Sequence, residues 1–200
     1  MSSASNPVYQ LISELSKLPG IGEKTATRLA FHILKMDEAQ ATALSQSIIN
    51  AKTRIRLCTQ CMTFTETEIC GTCSDFSRKK DVICIVEKPS DVFAIESSGQ
   101  YKGVYHTLHG LLSPLDGVGP SQLYIKELLA RLQDGSVHEV ILALNSTVEA
   151  DATGVYLTKL LKPLGITVSR IAHGIPVGGV IEYLDRQTIS RALENRVVSS

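Results

Sequence analysis

Four cysteines in sixteen residues, Cys58-x2-Cys61-x8-Cys70-x2-Cys73, form two CxxC knuckles. Four thiolates at that spacing close a tetrahedron around a zinc ion and leave no open position for a substrate water, so the expected site is structural, with one Zn2+ per chain. The segment that carries them is polar and threonine-rich, too poor in apolar residues to fold by burial. Zinc binding in small peptides is worth ~10–16 kcal/mol at neutral pH, enough to replace the missing core. The alternative is a set of incidental or redox-active thiols. Cys84 lies apart, inside an apolar run, and reads as a small buried hydrophobe.

A second chemistry is written at Leu18-Pro19-Gly20-Ile21-Gly22-Glu23-Lys24-Thr25-Ala26, where a glycine turn joins two helical stretches. The glycines let backbone approach a phosphate closely. The second helix offers free N–H groups and its positive dipole end, with Lys24 and Arg28 one turn apart. Such contacts hold DNA without reading its sequence. The stretch resembles the helix-hairpin-helix motif of repair proteins. A hairpin used only for packing or dimerisation is the plainer alternative.

The third candidate chemistry is acidic. Glu87 follows the apolar run Val82–Val86, at the C-terminal end of an expected parallel strand, where open α/β sheets place their sites. Glu149 and Asp151 follow the run Val140–Leu144 in a comparable place. Carboxylates meeting at one sheet edge can hold Mg2+ and assist phosphoryl transfer. The arrangement resembles a Toprim domain, whose pattern is a Glu after the first strand and Asp-x-Asp after a later one. Here Asn145 and Thr147 stand where that pattern has its aspartates. Neutral groups weaken the field for a hard cation, and none of the six tyrosines sits in a context that marks it as an activated nucleophile. The expectation is therefore a Toprim domain without catalysis. A Mg2+-dependent phosphoryl-transfer enzyme, nuclease or primase-like, is the alternative. His32, His106 and His109 have no cysteine or acid at ligand spacing and read as packing or surface residues.

The elements that must position these groups follow from periodicity. Residues 7 to 53 carry apolar residues at helical spacing, with Pro7 placed to open the first helix. From Asp81 onward apolar strands alternate with helices, which indicates a mainly parallel sheet with helices packed on it. The expected organisation is a helical region with helix-hairpin-helix (1–53), a four-cysteine zinc finger (54–76), a Toprim-type α/β sheet (77–172) and a C-terminal tail (173–200).

Composition bounds the partners. The chain holds twenty Lys plus Arg and twenty Asp plus Glu, so its formal net charge is zero and a histone-like binder is excluded. Neutrality is a sum of unlike parts: residues 1–80 hold ten basic and seven acidic residues, residues 81–200 ten and thirteen. That leaves room for a weak, salt-sensitive grip on DNA, multiplied by assembly, beside an acidic face suited to a basic partner. With 5% aromatics and no Trp, a single-strand binder built on a platform of stacked aromatic rings is not expected. No apolar run approaches the ~18 residues of a membrane span and the start lacks a secretory pattern, so the expected location is the cytoplasm.

The order of these blocks resembles the RecR family of bacterial recombination mediators along essentially the whole chain, through LPGIGEKTATRLAFHIL, CTQCMTFTETEICGTC, VICIVEKPSDVFAIE, LLSPLDGVGP, NSTVEADAT and IAHGIPVGG. The resemblance implies a non-enzymatic role in recombinational repair of DNA damage: with RecO, and in some settings RecF, such proteins help load RecA onto gapped or single-stranded DNA. It implies a ring, usually a tetramer, able to clamp single- or double-stranded DNA without sequence preference. It also implies that Lys24 and Arg28 face DNA, that Cys58, Cys61, Cys70 and Cys73 hold zinc, and that Glu87, Glu149 and Asp151 meet RecO. The tail resembles the family's Walker B-like segment, but position 180 is Val where an acidic residue is common. Without a phosphate loop elsewhere in the chain, ATP hydrolysis is not expected. A purely structural assembly module is the remaining alternative.

Overall fold

The computed structural model describes residues 6–198, so residues 1–5 of the expected helical region and residues 199–200 of the expected tail lie outside the described residues. The chain divides into two compact units, one ending at Ile55 and the other starting at Arg56.

The first unit is helical. Helix α1 (Pro7–Ser16) opens on Pro7, with the Asn6 side chain accepting from the Val8 N–H at 2.9 Å. Ile21 N–H donates to the Leu18 carbonyl and Gly20 takes φ +79°, a left-handed conformation that favours glycine, so the chain reverses within a few residues into α2 (Glu23–Ile33). Ala26 and Ala30, both 0% exposed, form the buried face of α2. Small residues there let α1 and α2 pack closely. Helix α3 (Glu38–Arg54) is capped by Asp37, whose carboxylate accepts from the Gln40 N–H at 2.7 Å. It buries none of its residues, and Leu44, Ile48 and Ile49 are exposed.

The second unit begins with a two-stranded antiparallel pair, β1 (Arg56–Leu57) and β2 (Phe64–Thr65), followed by the one-turn helix α4 (Gly71–Ser74). The main sheet contains β3 (Val82–Val86), β4 (Val104–Thr107), β5 (Glu139–Ala143) and β6 (Thr167–Arg170), all parallel, in the order β4-β3-β5-β6. Helices α5 (Pro89–Ser97), α6 (Ile125–Arg131), α7 (Val148–Leu161) and α8 (Arg186–Glu194) complete the unit. Alternation along β3 divides the core. Ile83 and Ile85 pack with Leu128 of α6 and with Leu157 and Leu161 of α7, while Cys84 and Val86 pack with Val92 of α5 and with Tyr105. Burial on both faces explains why β3 reads as a continuous apolar run rather than an alternating one.

The path from β3 goes to β4 on one side, while the path from β5 goes to β6 on the other. The switch point therefore lies between the C-terminal ends of β3 and β5. Strand β4 is an edge, and its neighbours close it: Arg78 donates to the Gly103 carbonyl, Arg131 to the Tyr105 carbonyl, and Thr107 N–H to the Cys61 carbonyl at 2.8 Å. Arg78 is itself held by the Glu96 carboxylate, with Nη1–Oε1 at 2.9 Å. Among the described residues no helix is long and apolar enough to cross a membrane.

Candidate functional site

The four cysteines meet in one cluster. Cys58 precedes the tight turn between β1 and β2, Cys61 lies in that turn, and Cys70 and Cys73 sit at the start and within α4. All four are buried, and their sulfurs lie within 4.8 Å of one another, with Cys61 and Cys70 at 3.6 Å. Sulfurs on a tetrahedron of ~2.3 Å bonds stand about 3.8 Å apart, so the cluster fits a metal of that kind. Backbone donors support the thiolate form: Cys70 N–H points to Cys58 Sγ at 3.3 Å and Cys73 N–H to Cys70 Sγ at 3.4 Å. The hydrogen bond between Cys61 and Cys70 lowers the Cys70 thiol and raises that of Cys61. Cys84, 3% exposed, is no part of the cluster, and burial pushes its thiol up to about 12.

The cluster is tied to the sheet at several points. Besides the bond from Thr107, His109 Nε2 pairs with the Met62 carbonyl at 2.6 Å, and Lys80 Nζ donates to the Cys73 carbonyl at 2.7 Å. Met62 and His109 are the two non-glycine residues with φ near +60° among the described residues. Two uncommon backbone conformations joined by one hydrogen bond mark a built junction. His106 is fully buried, bonded through Nε2 to the Tyr124 carbonyl, and desolvation holds it down at about 4.

At the switch point, Glu87 follows β3 directly and α5 starts two residues later, with Lys88 N–H donating to the Asp91 carboxylate. Glu87 is 9% exposed, and both its oxygens are engaged: Oε2 accepts from Asn145 Nδ2 at 2.9 Å, and Oε1 lies 3.0 Å from Lys88 Nζ. An amide and an ammonium thus pair with this carboxylate. Glu149 and Asp151 lie in the first turn of α7, whose cap is the Thr147 hydroxyl accepting from Ala150 N–H. Glu149 is exposed. Asp151 is half-buried and bridges Arg170 at 2.8 Å and Arg191 of α8 at 3.6 Å. These pairs border an open cavity of about 430 Å3 that also includes Ser146, His173 and Thr188, with Ser146 Oγ 2.9 Å from His173 Nδ1. The three acids do not form one ligand group; among the described residues only the cysteines do.

Replacing the amide tests this reading. Asn145→Asp would set a second carboxylate about 3 Å from Glu87, a pair that is stable only with a proton or a cation. The variant is expected to gain a Mg2+-dependent rise in Tm of a few degrees over the wild-type response. A Mg2+ response equal to that of the wild type would show that the edge cannot be turned into a metal site by this change alone.

Lys24 and Arg28 are both exposed on α2, and Gly22 at its start offers no side-chain cap, so the first-turn N–H groups remain available to an anion. Periodicity could find the two cations. Arg170, Arg191, Ser146 and His173 have no comparable signal, since their partners lie far along the chain.

Comparison with known proteins extends the geometry. Residues 8–52 match the family profile described as RecR, helix-hairpin-helix; residues 81–172 match Toprim domain; residues 174–197 match RecR, C-terminal. The chain is 53% identical over 190 residues to the Recombination protein RecR of Heliobacterium modesticaldum, covering 95% of this chain and 96% of the other. It is 51% identical to the protein of that name from Myxococcus xanthus, covering 96% and 97%. It is 50% identical to that from Pelotomaculum thermopropionicum, covering 98% of each.

Proposed function

The chain belongs to the RecR family of recombination proteins, and on that premise we propose that it is a non-enzymatic mediator that binds DNA and acts with RecO, and in some settings RecF, to load RecA at gaps. The observation that carries the reading is the pair of exposed cations, Lys24 and Arg28, one turn apart on a helix whose first turn has no side-chain cap. The cysteine cluster takes one structural Zn2+ per chain. The division into a helical region (1–53), zinc finger (54–76), Toprim domain (77–172) and tail (173–200) assigns DNA contact to the first and partner contact to the third, through Glu87, Glu149 and Asp151. Exposed Leu44, Ile48 and Ile49 on α3 support self-assembly into a ring, taken here as a tetramer. The engagement of both Glu87 oxygens by Lys88 and Asn145 argues against Mg2+-dependent phosphoryl transfer.

Mass measurement in solution tests this directly. The chain alone should be oligomeric, and addition of RecO and gapped DNA should produce a larger species containing all three. A monomer that forms no complex with either would end the proposal.

A further inference from the structure

Phe76 is 99% exposed, at the point where the chain leaves the metal knuckle for the sheet. Its presentation is fixed by the residues around it. Asp75 N–H donates to the Gly71 carbonyl of α4, and the Asp75 carboxylate accepts from the Ser77 N–H and hydroxyl at 2.8 and 2.7 Å. Arg78 is anchored to Glu96 and to the Gly103 carbonyl, and Lys79 N–H donates to the Lys102 carbonyl at 2.9 Å. The ring therefore stands on backbone held on both sides, so covering it requires little ordering of the main chain.

Its neighbours identify what that could be. Lys79, three residues along the chain, and Lys102, whose carbonyl accepts the Lys79 N–H, are exposed, while Ser74, Asp75 and Ser77, also exposed, offer no apolar rim. A protein hot spot sits inside a ring of contacts that excludes water; one exposed aromatic side chain with cations close along the backbone suits a flat π-system on a polyanionic backbone. Low aromatic content argues against a platform of stacked rings; one ring used once per subunit needs no such content. We propose that Phe76 stacks on an unpaired base while Lys79 and Lys102 hold the adjoining phosphates, giving each subunit a foothold available in single-stranded but not in fully paired DNA. Bases in a duplex are already stacked on one another and present no free face. The proposal rests on the DNA-binding reading above and adds to the hairpin a second DNA contact, outside the helical region, together with the form of nucleic acid preferred.

The chain contains no Trp, so Phe76→Trp places a single fluorophore at the stacking position. Phe76→Ala is expected to weaken binding of a short oligo-dT about fivefold or more, while affinity for a blunt duplex stays within about twofold. Phe76→Trp should retain oligo-dT binding, and its emission should be quenched by oligo-dT and not by the duplex. Unchanged oligo-dT affinity in Phe76→Ala, or unquenched emission at saturating oligo-dT, overturns the proposal. Loss of RecO binding by Phe76→Ala with DNA affinity intact would assign the ring to protein docking and also overturn it. If the wild-type chain itself binds neither DNA, the general reading fails, and this one with it.

Discussion

Replacing Cys58 by Ser is expected to remove the metal and unfold residues 56–75, with damage that continues into the sheet. Cys58 is fully buried, its sulfur accepts the Cys70 N–H, and its own N–H closes the turn on the Thr63 carbonyl at 2.8 Å. The knuckle has no apolar cluster apart from its own cysteines, so a structural metal worth ~10 kcal/mol or more is comparable to the whole stability of a typical domain. Three further bonds, from Thr107, His109 and Lys80, then have no fixed acceptor. Metal content should fall from one equivalent to near zero, and hydrogen exchange at the Thr107 amide should accelerate by at least about tenfold. A metal-free variant with wild-type exchange at Thr107 would mean that the knuckle is a passenger on the sheet. Chelation of the wild type should reproduce the same pattern.

Reversing both hairpin charges, Lys24→Glu with Arg28→Glu, is expected to have the largest effect on DNA binding. Each phosphate that is no longer neutralised lowers the slope of log K against log salt by ~0.7 for single strands and ~0.9 for duplex. With two cations reversed per subunit, the slope should flatten by about 1.4–1.8 for each engaged subunit, and affinity at low salt should drop on the order of a hundredfold. Both side chains are exposed and no core residue is touched, since Ala26 and Ala30 carry the packing. Thermal stability should therefore hold. An unchanged salt slope would remove the hairpin from the DNA-binding surface.

Much of this arrangement is legible in the residue order. The run Val82–Val86 announces a strand buried on both faces, and a strand of those bounds is found. The cysteine spacing announces a four-sulfur cluster, and one is present. Element ends are less legible. Within the helical stretch 7 to 53, apolar spacing marks a third helix only from Ala41 to Ile49; it spans Glu38–Arg54, because Asp37 supplies a cap and the polar residues beyond Ile49 continue it without burial. Leu123, Ile125, Leu128, Leu129 and Leu132 recur at helical spacing, yet the α-helix starts only at Ile125, after a 3-10 turn begun by Pro120. At the sheet edge, pattern places Glu87, Glu149 and Asp151 together by analogy of position. What separates them is long-range pairing: Asp151 with Arg170 and Arg191, Glu87 with Asn145. Such partners lie 19 to 58 residues apart and obey no local period. The junction of Met62 with His109 is equally silent, since Met has no preference for a left-handed backbone and the enrichment of His there is too small to single out one residue.

The closing of strand β4 has a consequence for solubility. An edge strand with free N–H and C=O groups is a template on which another chain can add a strand. Here Arg78, Arg131 and the Cys61 carbonyl cover that template, and the last of them depends on the folded knuckle. A metal held by the four cysteines would thereby help guard the sheet against its own copies. A cell short of the metal would accumulate this protein as insoluble aggregate before it accumulated soluble protein that had merely released its ion.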